Sequence, residues 1–120
     1  MGAKILLVDD SAFVIKQLTA IFKSGNYEIV GVAEDGLDAI EKFKELKPDL
    51  VTMDITMPKM DGITALEKIM EIDSSAKVIM VSALGKEELV KKSLLLGAKN
   101  YIVKPLDAKK VLARVESVLG

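Results

Sequence analysis

The sequence predicts an α/β fold, a doubly wound five-stranded parallel sheet with five helices packed on its two faces. Along the 120 residues, short apolar runs alternate five times with longer amphipathic segments. Several of these runs are almost wholly apolar, which is typical of strands buried on both faces of a parallel sheet. Because the β-α units follow one another, right-handed crossovers and helices on both faces are expected.

The apolar runs give the strands. They are Ile5–Val8, Glu28–Val32, Leu50–Met53, Val78–Val81 and Tyr101–Val103. The first, third and fourth runs are nearly continuous in apolar residues, as interior strands are. The second run is more polar, which favours an edge position.

The helices follow from apolar residues that recur at steps of three and four, so each helix has one face to bury. These residues are Val14, Leu18, Ile21 and Phe22; Ala39, Ile40 and Phe43; Ile63, Leu66, Ile69 and Met70; Leu89, Val90 and Leu94; and Val111, Leu112, Val115 and Leu119. Residues suited to helix N-caps precede four of the segments, namely Ser11, Asp35, Asp61 and Asp107. Glycines stand where helices should end, at Gly25 and Gly97.

Composition excludes several kinds of site. The chain contains no cysteine and no histidine, so disulfides, thiolate or imidazole metal sites and histidine acid–base catalysis are impossible. Any metal must therefore be a hard cation bound by oxygen. The apolar runs are far shorter than a membrane span or a secretory leader requires, which predicts a cytoplasmic protein. The net charge of −1 gives no attraction to nucleic acid.

The charge is unevenly distributed. Residues 1–76 carry fourteen acidic and eight basic side chains, whereas residues 77–120 carry four acidic and nine basic ones. Such asymmetry can mark a surface that binds a partner, although lysines that solubilise two exposed helices would give the same pattern.

Chemically active side chains stand at the carboxyl ends of four predicted strands. Asp9 and Asp10 follow the first strand, Asp54 the third, Ser82 the fourth and Lys104 the fifth. In a parallel sheet these ends share one rim, beyond which ligands bind. The sequence therefore predicts that three carboxylates, a hydroxyl and an ammonium converge.

Three neighbouring carboxylates resist ionising together, and a divalent cation relieves that repulsion. Mg²⁺ prefers oxygen ligands, so two carboxylates and a carbonyl are a plausible set. Helix capping is the alternative role for Asp9 and Asp10, but tandem caps with Asp54 beyond another strand are a less economical explanation.

The chain resembles the receiver domains of two-component response regulators, and within that family it is most similar to chemotaxis regulators. The matching segments span the whole chain in order: Asp9-Asp10, Met53–Pro58 with Asp61-Gly62, Ser82-Ala83 and Lys104-Pro105. The resemblance implies a flavodoxin-like sheet of strand order 2-1-3-4-5 and a single receiver domain over residues 1–120, without an output domain.

The resemblance also implies roles in phosphoryl transfer. It makes Asp54 the phosphoacceptor. Asp9, Asp10, Asp54 and the backbone carbonyl of Thr56 would hold Mg²⁺, for which Mn²⁺ could substitute. Such a protein modifies itself and is not otherwise an enzyme.

Further implied roles concern the switch. Ser82 and Lys104 would contact the attached phosphoryl group, and a cis peptide at Pro105 would orient Lys104. Ser82 and Tyr101 would move together on activation, although Tyr101 could also be an ordinary half-buried strand residue. Thr56 and Leu84 would flank the path of hydrolytic water; neither is suited to positioning water, and Leu84 could shield the site, so slow dephosphorylation is expected.

The expected partners are a histidine kinase and a target protein, such as a flagellar motor switch, that binds the basic face of helix 4, strand 5 and helix 5. We expect a monomer that neither binds nucleic acid nor inserts into membranes. Two alternatives stay open: a receiver domain cut from a longer regulator or hybrid kinase, and, with less support, a metal-dependent phosphohydrolase with an aspartate nucleophile.

Overall fold

A computed structural model describes residues 2–120. Five strands alternate with five helices, as predicted. The strands are β1 (Lys4–Val8), β2 (Glu28–Ala33), β3 (Leu50–Asp54), β4 (Val78–Ser82) and β5 (Asn100–Val103). The helices are α1 (Ala12–Ser24), α2 (Gly36–Leu46), α3 (Gly62–Ile72), α4 (Glu87–Leu95) and α5 (Ala108–Leu119).

All strands are parallel, and the sheet has the order β2-β1-β3-β4-β5, which confirms the expected topology. β2 lies at an edge, as its polar character indicated. Each strand is one residue longer than predicted, at Lys4, Ala33, Asp54, Ser82 and Asn100. At the rim, Asp54 and Ser82 are the last residues of β3 and β4 and do not follow them. Their positions are therefore held by the sheet.

Successive side chains of each interior strand enter two different cores. In β1, Leu6 and Val8 pack towards α2, α3 and α4, whereas Ile5 and Leu7 pack towards α1 and α5. All four are at most 1 % exposed. Full burial of such a side chain contributes about 1.5–3 kcal/mol, so the two cores hold the central strands rigidly beneath the rim.

The helix starts agree with the predicted caps, with one weakness. Ser11, Asp35 and Asp61 each accept a hydrogen bond from a backbone N–H of the first turn, at 3.3, 2.9 and 2.8 Å. Asp107 stands at the start of α5 but its side chain makes no capping hydrogen bond there. Since such a cap is worth about 1 kcal/mol, α5 begins less firmly than α1, α2 and α3.

The predicted apolar face of α4 is only partly correct. Val90 is buried, but Leu94 is 39 % exposed and Leu95 is 88 % exposed. Lys86 is the N-cap residue before Glu87, and its side chain makes no capping hydrogen bond within the described part of the chain. α4 thus turns apolar side chains towards solvent beside the rim.

No helix in residues 2–120 is both long enough and apolar enough to cross a bilayer.

Candidate phosphoacceptor site

Three carboxylates converge at the rim, where β1 and β3 lie side by side. One oxygen from each of Asp9, Asp10 and Asp54 lies within 4.8 Å of the other two. Asp9 is 1 % exposed and Asp54 is 7 % exposed, while Asp10 faces solvent. The structure therefore brings together the three acids that the sequence placed at strand ends.

Lys104 reaches this cluster from the end of β5. Its Nζ lies 3.4 Å from Asp9 Oδ2 and 3.6 Å from Asp54 Oδ1. Among residues 2–120, it is the one basic side chain at ion-pair distance from these acids. A single ammonium beside three carboxylates leaves the rim short of positive charge.

The electrostatic consequence is visible at Asp54. The pKa of its carboxyl is raised from 3.8 to about 6 as the net of several effects, of which burial is the largest and the negative charge of Asp9 the second. The Lys104 ammonium lowers this pKa, and Asp10 raises it again. The effects of burial and like charge on the pKa thus exceed the opposing effect of Lys104. Without a metal, Asp54 is protonated at a higher pH than an aspartate in water.

The arrangement fits a hard divalent cation. Asp9 Oδ1 accepts a hydrogen bond of 2.9 Å from the N–H of Ser11, but Asp9 Oδ2 is buried and accepts none from residues 2–120. Lys104 stands near that oxygen without hydrogen-bond geometry, so the ion pair compensates its charge without satisfying its lone pairs. A buried, unsatisfied carboxylate oxygen among other carboxylates suits Mg²⁺, which takes oxygen ligands.

The loop between β3 and α3 carries Thr56 and packs against the phosphoacceptor candidate. The N–H of Gly62 donates a 2.7 Å hydrogen bond to the carbonyl of Ile55. A Cβ on Gly62 would lie 1.9 Å from the carbonyl oxygen of Asp54, so only glycine allows this close approach. The sequence showed Gly62 as part of a motif, but its contact with Asp54 required the structure.

The expected switch residues lie on one side of the rim. Ser82 is buried, and its hydroxyl donates to the carbonyl of Ala83 at 3.0 Å. Tyr101 is half-buried, with Cζ of Arg114 positioned 5.5 Å from its ring centroid. A groove of about 350 Å³ extends between the loop after β4, α4 and Tyr101.

Sequence reasoning missed Arg114, because nothing in its spacing indicates that α5 crosses β5 at Tyr101.

The remaining predicted residues have mixed outcomes. The Lys104–Pro105 peptide bond is cis, which confirms that expectation. Thr56 is exposed, as is Leu84 at 80 %. Leu84 lines the groove beside α4, and its shielding of the site stays a prediction.

The raised pKa of Asp54 predicts how stability depends on pH without metal. A carboxyl whose pKa is higher in the folded than in the unfolded chain contributes stability that is complete below about pH 3.8 and is lost as pH rises towards about 6. In EDTA we expect Asp54→Asn to exceed the wild type in free energy of unfolding by roughly 1–3 kcal/mol above about pH 7, and the difference to shrink on acidification. Urea unfolding across this pH range measures it.

Asp49→Asn is the control for this experiment, because Asp49 is an exposed acid outside the rim. An Asp54→Asn advantage that is constant from about pH 4 to pH 8 would contradict the electrostatic account.

Comparison with known proteins identifies the family. A family model described as the response regulator receiver domain matches residues 5–116. A chemotaxis protein CheY of Treponema pallidum is 68 % identical over 118 residues, which cover 97 % of this chain and 82 % of that protein. The CheY of Bacillus subtilis is 49 % identical over 120 residues, the full length of both.

Among solved structures, the CheX-CheY-BeF3-Mg²⁺ complex from Borrelia burgdorferi contains a chain that is similar throughout. It aligns with a TM-score of 0.94 and 57 % identity, covering 98 % of this chain and 90 % of that one. Fold, rim and sequence agree, and the chain belongs to the response regulator receiver domain family.

Proposed function

We propose that the chain is a cytoplasmic, monomeric chemotaxis switch that accepts a phosphoryl group on Asp54 from a histidine kinase and then binds a target protein. One observation carries the proposal: Asp54 Oδ1 lies 3.6 Å from Lys104 Nζ in a rim shared with the carboxylates of Asp9 and Asp10. The similarity to CheY proteins supports the chemotaxis assignment. Residues 1–120 would act as one receiver domain.

Asp54 is suited to act as the nucleophile. A carboxylate oxygen forms a bond to phosphorus while the bond between phosphorus and the donor's imidazole breaks, leaving an acyl phosphate on Asp54 and a free histidine on the kinase. With a pKa of about 6, Asp54 is largely ionised near neutral pH. The rim must then tolerate an incoming anion beside several carboxylates.

Charge neutralisation is the main task of the other residues. Lys104 supplies one positive charge beside the nucleophile, where the oxygens of the phosphoryl group would lie. Asp9, Asp10, Asp54 and the carbonyl of Thr56 would hold Mg²⁺. When bound, that ion supplies the remaining positive charge for phosphoryl transfer.

Ser82 and Tyr101 would pass the signal on. The Ser82 hydroxyl now donates to Ala83, a bond that it can exchange for one to a phosphoryl oxygen. Movement of this segment would change the groove between α4 and Tyr101, which Leu84 and Val90 also line. A bistable element of this kind converts a local charge into an altered binding surface.

The phosphorylation proposal is tested with acetyl phosphate and Mg²⁺, followed by intact mass measurement. We expect the wild type to gain the mass of one phosphoryl group and Asp54→Asn to gain none, because an amide cannot form the acyl phosphate. Asp61→Asn is the matched control, since it alters a neighbouring acid that caps α3. Phosphorylation of Asp54→Asn to the wild-type extent would contradict the assignment.

A second prediction concerns the lifetime of the modified state. Thr56 and Leu84 are both exposed. They would flank the path of hydrolytic water, and neither offers a carboxylate or carboxamide to orient that water. We expect slow self-dephosphorylation and a rise of roughly tenfold in Leu84→Glu. This rise is smaller than the typical contribution of a well-positioned acid–base group, about 100-fold to 10,000-fold, because the introduced glutamate is not held in place by neighbouring groups.

The loss of phosphoryl groups from purified modified protein, followed by mass spectrometry after removal of the donor, measures both rates. Leu95→Glu is the control, because it adds the same charge to an exposed leucine at the end of α4, whereas Leu84 lies in the loop before that helix. Equal rates for Leu84→Glu and the wild type would refute the role of Leu84.

A third prediction concerns the target. The exposed lysines of α4 and α5 give that face a positive charge suited to an acidic or amphipathic helical segment. Reversing Lys91, Lys92 and Lys109 to glutamate should weaken binding of the phosphorylated chain to a flagellar motor-switch protein by about tenfold or more, because each new charge repels the partner. Surface plasmon resonance measures the dissociation constant.

Charge reversal of Lys16, Lys44 and Lys68 provides the control, because these exposed lysines lie on α1, α2 and α3. Unchanged affinity after reversal of the α4 and α5 lysines would remove this face as the docking surface.

A further inference from the structure

The first turn of α2 contacts the loop that follows β3. The N–H of Gly36 donates a 3.1 Å hydrogen bond to the carbonyl of Met60, and Asp35 Oδ2 lies 3.7 Å from Lys59 Nζ. Because β1 separates β2 from β3 in the sheet, this contact spans the carboxyl end of β1. The β2–α2 connection therefore supports the acidic rim from the side.

Gly36 is required by space. Its backbone lies outside the left-handed region, and within a helix alanine is favoured over glycine by about 1 kcal/mol. A Cβ at this position, however, would lie 2.6 Å from the carbonyl oxygen of Met60 and 2.8 Å from its Cβ. Since a backbone carbonyl cannot swing aside as a side chain does, any larger residue must displace the loop.

The same loop is held at its other end by Gly62, whose N–H donates to the carbonyl of Ile55. Thr56 lies between these two attachment points, at Ile55 and Met60. Within the loop, Lys59 has a φ of 65° and the N–H of Met60 donates to the carbonyl of Pro58 at 2.7 Å. Because the loop is short and tightly turned, a displacement of Met60 would also move Thr56.

We infer that Gly36 is a positioning residue for the Mg²⁺ site. Its close contact with Met60 fixes the position of the loop whose Thr56 carbonyl would bind the cation. Gly36 itself would not contact the cation. The inference rests on the proposed function, in which that carbonyl is a metal ligand. It assigns a role in cation binding to a helix that contributes no residue to the rim.

The test is the Mg²⁺ affinity of Gly36→Ala, measured by isothermal titration calorimetry on the whole chain at a temperature where circular dichroism shows it folded. We expect binding about tenfold weaker than in the wild type, the lower range for loss of support around metal ligands. Gly31→Ala is the matched control, because a Cβ there would meet side-chain atoms and no backbone, the nearest being the flexible end of Leu46 at 2.6 Å. Its Mg²⁺ affinity should equal that of the wild type.

A second pair of variants separates positioning from general destabilisation. Asp35→Asn keeps an oxygen to cap α2 but removes the charge that faces Lys59, and it should weaken Mg²⁺ binding about twofold to threefold. Val115→Ala creates a cavity in the core beneath α1 and α5, away from the loop. It should lower the unfolding midpoint and leave Mg²⁺ affinity unchanged.

The outcomes distinguish this inference from the proposed function. Wild-type Mg²⁺ affinity in Gly36→Ala overturns the positioning role while Asp54 phosphorylation stands. Equal weakening in Gly36→Ala and Val115→Ala also overturns it, since affinity would then follow stability alone. A wild-type chain that binds no Mg²⁺ and gains no phosphoryl group overturns the proposed function as well.

Discussion

Repulsion among three carboxylates at the end of a parallel sheet is the constraint on which the site depends. Asp9 and Asp54 are held there by two rigid strands, and burial removes most of the water that would otherwise screen their charges. One ammonium, that of Lys104, stands against them. Burial, and after it the charge of Asp9, raise the pKa of Asp54, and one buried oxygen of Asp9 accepts no hydrogen bond from residues 2–120.

This shortage of positive charge explains why a rim that costs stability can still be useful. A site already compensated by its own cations would have little need of a divalent ion or an incoming phosphoryl group. A site that lacks positive charge would couple the two, because a cation that relieved the carboxylates would also attract the anion. The buried strands resist the repulsion, since the two hydrophobic cores fix their ends in place.

The acidic first part and the basic last part of the chain contribute different regions of the molecule. The acidic first part supplies the rim and its supporting loops, and the basic last part supplies Lys104 and the face of α4, β5 and α5. Tyr101 lies in β5 and Lys104 follows directly after it. The same short segment therefore carries the positive charge at the rim and an aromatic side chain of that face. The exposed apolar side chains of α4 and the open groove beside Tyr101 show that this side of the molecule is less completely packed than the sheet.

The sequence by itself determined the order of elements, the buried character of the central strands and the kinds of side chain at each strand end. These properties follow from local periodicity and from the shared direction of parallel strands. Local patterns failed at Leu94, whose helical spacing predicts burial although its side chain is 39 % exposed. Local patterns also do not predict the exposure of Leu84 or the position of Arg114 over Tyr101.

The tertiary structure alone decided the distances among Asp9, Asp54 and Lys104, the contact of Gly62 with Asp54, and that of Gly36 with Met60. Each joins segments that are separate in the sequence, so it depends on how strands and loops pack in three dimensions. A glycine that is needed for space has no local signature, because its backbone angles suit any residue and only a neighbour from another segment excludes a side chain.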